Sequence, residues 1–95
     1  MLISIIKEQN SKETRVSSTP EVINLLQRLG ADVLVEKGAG ELSGYGDELY
    51  KSSGAKIAER SECLQSDICL CVRMPSQNDI AKMKSEIILI GILNP

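Results

Sequence analysis

Three basic side chains follow apolar runs that read as strands. Lys7 and Arg15 come after the run over residues 2–6, and Arg73 comes after the run over residues 67–72. In open α/β sheets, ligands collect beyond the carboxyl ends of the strands. An arginine guanidinium binds a carboxylate or a phosphate through two parallel hydrogen bonds. If the two strands are near neighbours, these cations converge on one crevice, and their chemistry is that of an anion grip.

A plainer interpretation keeps both arginines at the surface, paired with Glu8 or Glu13. Spacing alone favours this alternative, because charged loops of this kind are normally exposed. We expect most of the glutamates, including Glu13, Glu21 and Glu41, to be solvated or to cap helices. No spacing singles out a pair of carboxylates for acid–base chemistry.

Gly38 and Gly40 follow a predicted strand and raise the question of nucleotide binding. A dinucleotide fingerprint requires G-x-G-x-x-G/A with a helix opening on the glycines. Here the third position is Ser43, and residues 44–46 do not begin a helix. Glu59 lies roughly where the ribose-binding acid would be, but the upstream geometry is wrong. We therefore predict a structural turn and no NAD site in this loop.

Other catalytic classes find little support in the composition. There is no His, which excludes a Ser-His-Asp triad. The three Cys are irregularly spaced, which favours free thiols in a reducing compartment. Cys69 and Cys71 are expected to share one face of a strand as buried thiols. Further ligands for a zinc site are missing nearby, so no metal is predicted.

The bulk properties predict one small domain over residues 1–95, with a formal net charge of −2. The chain has no Phe or Trp, and its eleven basic residues are dispersed, which argues against a nucleic-acid surface. Neither a signal peptide nor an apolar run of membrane-spanning length is present in the sequence. A soluble, cytosolic chain is expected.

The chain alternates strand-like and helical stretches, which predicts βαβ units and a parallel sheet. The clearest helix begins at Pro20, carries one apolar stripe from Val22 to Leu29 and stops at Gly30. A glycine-rich loop without regular structure, a short helix capped by Asp47 and a short helix capped by Ser76 are also predicted. The expected fold is an open, flavodoxin-like parallel sheet with helices on both faces. Predicted strands cover residues 2–6, 31–36, 55–58, 67–72 and 86–93.

Several motifs occur together in the order found in one known family. The sequence resembles the N-terminal domain shared by alanine dehydrogenase and the alpha subunit of proton-translocating NAD(P) transhydrogenase. The resemblance covers essentially the whole chain. It is carried by Lys7-Glu8, Glu13-Thr14-Arg15-Val16, Thr19-Pro20, Gly30, Val33, Val35-Glu36-Lys37-Gly38-Ala39-Gly40, Asp47, Gly54-Ala55, Ser66-Asp67 and Val72-Arg73-Met74-Pro75.

The resemblance implies a role for Arg15 that differs between the two branches. In alanine dehydrogenases of this family, the matching arginine holds the substrate carboxylate, and a lysine of a K-V-K-E-P motif completes the grip. This chain has Cys71 and Arg73 at the two lysine positions, and it lacks the catalytic His expected a little beyond the last strand. The transhydrogenase branch, which binds no amino acid, is therefore the closer match. We therefore expect Arg15 to be a pocket residue that is common to the family. The sequence does not identify its ligand.

The resemblance further implies a fragment of a larger enzyme. The Rossmann domain that binds NAD and the proton-translocating spans belong to later parts of the family's alpha and beta subunits, so we expect no cofactor and no catalytic residue in this chain. Expected partners are the remainder of the alpha subunit, the beta subunit and a second copy in a homo-oligomer. The complex would sit at the cytoplasmic side of the inner membrane. The alternatives are an alanine dehydrogenase acting on pyruvate, and a non-catalytic remnant that binds a small anion or a partner chain.

Overall fold

Strands and helices alternate along residues 1–9 and 13–91, which are the residues that the computed structural model describes. The last part of the predicted strand over residues 86–93 and the chain end lie outside them. The described helices are α1 (Pro20–Arg28), α2 (Asp47–Ser52), α3 (Arg60–Cys63) and α4 (Gln77–Lys82). The described strands are β1 (Leu2–Ile5), β2 (Asp32–Glu36), β3 (Lys56–Ala58), β4 (Ile68–Cys71) and β5 (Ile88–Gly91).

The described strands form one open parallel sheet in the order β3-β2-β1-β4-β5, which confirms the predicted fold class. In the flavodoxin order, β1 lies between β2 and β3. The order observed here differs, because β2 and β3 both lie on one side of β1, whereas β4 and β5 lie on the other side. Ile3 accordingly pairs with Val33 of β2 and with Ile68 of β4. The direction of winding reverses between β1 and β4, the two strands that precede Lys7 and Arg73.

Hydrophobic residues pack on both faces of the sheet because the side chains of its central strands alternate. Val33 and Val35 of β2 face one core, which contains Ile23 of α1 and Tyr50 of α2. Leu34 faces the opposite core, whose buried members are Ile6, Leu34, Ala58, Cys63, Cys69 and Cys71. The two cores place helices on both faces, as predicted. Cys69 and Cys71 share one face, also as predicted.

Helix α1 follows its predicted bounds but buries less of its apolar stripe than expected. Pro20 is its first residue, and Gly30 follows its end with a φ of 96°, a conformation that glycine adopts without strain. Ile23 is fully buried and Leu26 packs against the same core. Other apolar residues of the stripe, Val22, Leu25 and Leu29, are exposed. The nine-residue helix contacts the sheet along one narrow seam, so the rest of the stripe faces away.

Two local predictions around the glycine loop need correction. Residues Glu41–Ser43 form one 3₁₀ turn, where no regular structure was expected. Asp47 was predicted to cap α2, but Gly46 holds that position and Asp47 is the first helical residue. The carboxylate of Asp47 instead accepts a hydrogen bond from the backbone N–H of Gly38 at 2.9 Å. At α4 the predicted cap is confirmed, because Ser76 Oγ accepts from the N–H of Asp79 at 3.2 Å.

None of the helices in the described part of the chain has the length and apolar character needed to cross a bilayer.

Candidate functional site at the carboxyl ends of β1 and β4

The segments that follow β1 and β4 are held together by one carboxylate. Glu8, just beyond β1, accepts hydrogen bonds from the backbone N–H groups of Val72 at 2.9 Å and of Arg73 at 2.8 Å. Both donors lie just beyond β4. In an open α/β sheet the crevice for ligands forms where the winding direction reverses. Glu8 therefore fixes the backbone on both sides of that crevice and places Arg73 beside the loop that follows β1.

Glu13, in the segment that follows β1, is buried, contrary to the expectation that it is solvated. Its Oε2 accepts hydrogen bonds from Arg15 Nε at 2.8 Å and from the Arg15 backbone N–H at 3.0 Å. Its Oε1 accepts from Arg15 Nη2 at 3.0 Å and from Arg73 Nε at 2.9 Å. We call Glu13, Arg15 and Arg73 the Glu13 cluster. The structure thus unites the two predicted arginines on a single carboxylate, as in the ion-pair alternative.

The hydrogen bonds in this cluster stabilise the charged form of Glu13. The side-chain bond from Arg15 is the largest cause, the backbone bond from Arg15 and the bond from Arg73 add to it, and burial opposes them. Together they lower the pKa of Glu13 from 4.5 to about 2. The guanidinium side chains are more accessible than the carboxylate: Arg15 is 46% and Arg73 is 58% exposed, against 4% for Glu13.

Lys7, the third predicted cation, lies between two clefts that adjoin the Glu13 cluster. One cleft of ≈ 160 Å³ contains Lys7 together with Arg60 and Arg73 among its lining residues. A much smaller one, of ≈ 10 Å³, is lined by Lys7 together with Glu13 and Arg15. The structure therefore brings the three residues predicted from the sequence to one place.

Arg60 is a fourth cation at this edge, and it was not among the residues predicted from the sequence. Its Nη1 donates to Glu36 Oε1 at 2.7 Å and to the Lys7 carbonyl at 3.0 Å, and its Nη2 donates to Asp79 Oδ2 at 2.7 Å. We call this set the Arg60 clasp. Lys7 and Arg73 were predicted because they follow the ends of strands. Arg60 also follows the end of a strand, β3, so the same criterion predicts it.

The Arg60 clasp ties together the ends of three strands and one helix. Glu36 is the last residue of β2, and it also accepts from the Lys7 backbone N–H at 2.8 Å. Asp79 lies in α4, and its hydrogen bond from Arg60 lowers its pKa. For Arg60 itself, burial disfavours the charge, but the bond to Asp79 and the proximity of Glu36 outweigh it and raise the pKa. Its charge is therefore firmly held within the fold.

Close packing requires a glycine at position 40 of the glycine loop. A Cβ on Gly40 would lie 2.6 Å from both a ring carbon and the hydroxyl of Tyr50, so the backbone approaches the ring more closely than any other residue allows. Tyr50 is fully buried, and its hydroxyl donates to the Ser18 carbonyl at 2.9 Å. The loop is thereby docked onto α2 and onto the segment that precedes α1, which agrees with the predicted structural turn.

The cysteines are all free and buried, as predicted. Burial is the main cause that raises the pKa of Cys63 to about 12 and that of Cys71 to about 11, and it raises the pKa of Cys69 as well. The thiols stay protonated near neutral pH and act as small apolar side chains. Within residues 1–9 and 13–91, no group of three or more His, Cys, Asp or Glu side chains is arranged to hold a metal ion.

Comparison with known proteins matches residues 4–95 to the family described as alanine dehydrogenase/PNT, N-terminal domain. The NAD(P) transhydrogenase subunit alpha of Haemophilus influenzae is 37% identical over 93 residues, which is 98% of this chain and 18% of that protein. Alanine dehydrogenase 1 of Staphylococcus aureus is 34% identical over 94 residues, which is 99% of this chain and 25% of that protein. The chain thus spans a quarter or less of the length of these relatives.

Solved structures give the same two similarities. The crystal structure of transhydrogenase from Sinorhizobium meliloti superposes with a TM-score of 0.94 at 34% identity, covering 98% of this chain and 28% of that one. A structure of L-alanine dehydrogenase superposes with a TM-score of 0.89 at 26% identity, covering 94% of this chain and 25% of that one.

Proposed function

The chain belongs to the alanine dehydrogenase/PNT N-terminal domain family, and we propose that it is the N-terminal part of the alpha subunit of a proton-translocating NAD(P) transhydrogenase. In that enzyme a hydride passes between NAD(H) and NADP(H), which is held on another subunit. The chain contributes a folded α/β platform to the subunit and is inactive on its own. Its expected partners are the rest of the alpha subunit, the beta subunit and a second copy of itself.

The observation that carries this proposal is the presence of Cys71 and Arg73 at the two lysine positions of the alanine dehydrogenase grip. In the alanine dehydrogenase branch, the arginine at the position of Arg15 holds the carboxylate of the substrate. Here the bidentate edge of Arg15, formed by Nε and Nη2, is bound by the chain's own Glu13. Arg73, which stands at a lysine position of that branch, donates to the same carboxylate. Because Glu13 is part of the E-x-R-V motif that alanine dehydrogenases also carry, it is the loss of both lysines that favours the branch that binds no amino acid.

NAD in this proposal is bound by another part of the full-length subunit. The described residues do not fit a dinucleotide at the glycine loop, because the Tyr50 ring fills the space beside Gly40 that a close-approaching pyrophosphate would need. The Gly38 N–H, which such a site would direct at phosphate, donates to Asp47 instead. No catalytic role is therefore assigned to a residue of this chain. Association with the cytoplasmic side of the inner membrane would come through the complete complex.

Alanine dehydrogenase remains the second candidate, favoured by the presence of Arg15 within an intact Glu13-Thr14-Arg15-Val16 motif and by the 34% identical relative. Under this candidate, pyruvate would bind the exposed part of Arg15 and extend towards Lys7 and the ≈ 160 Å³ cleft. The two candidates thus differ in whether pyruvate binds at Arg15.

A pair of chimeras tests the proposal. Residues 1–95 of this chain replace the aligned segment of the Haemophilus influenzae transhydrogenase alpha subunit in one, and that of the Staphylococcus aureus alanine dehydrogenase 1 in the other. We expect the first chimera, assembled with its beta subunit, to retain hydride transfer between the two nicotinamide nucleotides. We expect the second to lose amination of pyruvate, because Cys71 and Arg73 replace the two lysines of the substrate grip.

Activity of the second chimera would overturn the assignment to the transhydrogenase branch. Inactivity of both, with each shown to be folded, would favour the non-catalytic remnant. The reading frame that follows codon 95 gives an independent check. A Rossmann G-x-G-x-x-G/A motif followed by apolar spans agrees with the proposal, whereas a histidine shortly after codon 95 and no apolar spans indicates alanine dehydrogenase.

A further inference from the structure

We propose that β5, at one edge of the sheet, pairs with β5 of a second copy of this chain. The two strands run antiparallel across a two-fold axis perpendicular to the sheet, so that the two sheets join into one. The inference deepens the proposed function and rests on it in one respect, since a second copy is among the partners expected there. It is tested on the 95-residue chain alone, so it can fail independently of the chimeras.

The two edges of the sheet differ in how they are protected against pairing with another strand. β3, at one edge, is three residues long and carries Lys56, whose ammonium group lies 3.5 Å from the Glu62 carboxylate. Short edge strands and lysines on them hinder the addition of a further strand. β5, at the other edge, has the sequence Ile-Leu-Ile-Gly, which contains neither a charged residue nor a proline. The β5 edge therefore lacks the protection that the β3 edge has.

The backbone of β5 directs hydrogen-bonding groups towards a neighbour on its outer side. The N–H of Ile88 points inwards and donates to the Asp67 carbonyl at 2.9 Å, where β5 runs beside β4. Since the direction of these groups alternates along a strand, the N–H and C=O of Leu89 point away from β4. In an antiparallel pair, two facing residues exchange both of their hydrogen bonds. Leu89 of one copy can therefore pair with Leu89 of the other across the two-fold axis.

The side chains on one face of β5 add an apolar contact to this pairing. Ile88 and Ile90 are 53% and 45% exposed, and they lie on the face of the sheet where Leu70 of β4 packs against the core that contains Ile23 of α1. An axis perpendicular to the sheet keeps this face on the same side in both copies, so the four isoleucines form one apolar patch. A single strand from each copy buries less than the roughly 800 Å² per partner of a standard interface. We therefore expect a weak dimer that dissociates on dilution.

Sedimentation equilibrium and amide hydrogen exchange, measured by NMR, test the proposal between about 50 μM and about 1 mM chain. We expect the average mass of wild type to rise towards that of two chains, and the Leu89 amide to exchange at least about twofold more slowly at the higher concentration. The Ile88 amide, which is bonded to β4 in both states, is the internal control and should not change.

Two substitutions separate the β5 edge from other apolar surface. Ile88→Lys places a charge on the edge strand and should keep the chain monomeric over the same concentrations. Leu25→Lys is the matched control, because Leu25 is an apolar residue of α1 with nearly the same exposed fraction, 54%. This variant should associate as wild type does.

A wild-type chain that stays monomeric up to about 1 mM would overturn the proposal. So would a dimer whose Leu89 amide exchanges at the same rate at both concentrations, because the two copies would then associate through another surface. Association that persists in folded Ile88→Lys, or that is lost in folded Leu25→Lys, would overturn it as well. If Ile88→Lys does not fold, the exchange of the Leu89 amide in wild type decides the question by itself.

Discussion

The Arg60 clasp and the Glu13 cluster both lie at the carboxyl ends of the strands, but they differ in which charge is central and in how exposed their side chains are. In the Arg60 clasp, one cation lies between the carboxylates of Glu36 and Asp79, and all three side chains are at most 19% exposed. In the Glu13 cluster, one buried carboxylate lies between two cations that face solvent over about half of their surface. Both clusters link segments that are distant in sequence.

The difference separates a structural role from a binding role. Removing Arg60 would leave two nearly buried carboxylates unpaired, which proteins tolerate poorly. Removing Glu13 leaves two cations that water can still hydrate and that another anion can still bind. The comparison therefore predicts that variants of the Arg60 clasp lose stability, whereas variants of the Glu13 cluster change mainly what the crevice binds.

The largest effect is expected from Arg60→Ala, which should lower the free energy of unfolding by about 3 kcal/mol. The reason is the loss of hydrogen bonds to Glu36, Asp79 and the Lys7 carbonyl, with both carboxylates left in place. Urea unfolding followed by far-UV circular dichroism measures it. Arg28→Ala, at an exposed position in the last turn of α1, is the control and should change stability by less than about 0.5 kcal/mol. Equal losses in both variants would refute the structural role of the clasp.

A smaller, pH-dependent effect is expected from Glu13→Gln. Because folding lowers the pKa of Glu13 from 4.5 to about 2, its charge contributes stability above pH 4.5 that is lost as the pH falls through about 2. The difference in free energy of unfolding between wild type and Glu13→Gln should therefore be constant above pH 4.5 and shrink between pH 4.5 and pH 2. Urea unfolding at a series of pH values measures this. A difference that stays constant down to pH 2 would show that Glu13 is not ion-paired in the folded chain.

The smallest effect is expected from Arg15→Ala, which should leave the fold intact. Arg73 still donates to Glu13 in this variant, and the side chain that is lost is nearly half exposed. The midpoint of thermal unfolding should stay closer to that of wild type than it does in Glu13→Gln. A loss as large as that of Arg60→Ala would make Arg15 a structural residue and remove the distinction between the two clusters.

The position of the candidate site could be predicted from the sequence because it depends on local order. Lys7 and Arg73 each follow an apolar strand, and the carboxyl ends of parallel strands meet at one edge of the sheet. The same reasoning leads to Arg60 as well, which lies two residues after the end of β3. Most helix bounds could also be predicted from the sequence. The residues that start or end a helix, such as Pro20 and Gly30, act on the few positions next to them.

The burial of Glu13 and the strand order could not be predicted in the same way. Glu13 and Arg15 are two residues apart, but the second partner, Arg73, is 60 positions from Glu13 and meets it only because β4 lies beside β1. Nothing local indicates whether β3 or β4 takes that place, since both are short apolar strands. The exposure of part of the apolar stripe of α1 could not be predicted either, because the residues that a helix buries depend on the elements against which it packs.

The most direct test of the central claim is whether pyruvate binds at Arg15 in the wild-type chain. The Nε–H resonances of Arg15 and Arg73 report this in an NMR titration, because both groups donate to Glu13 at 2.8 Å and 2.9 Å. The account predicts that neither resonance shifts saturably with pyruvate. A saturable shift of both resonances in the wild-type chain would contradict it and would favour a substrate site of the alanine dehydrogenase type.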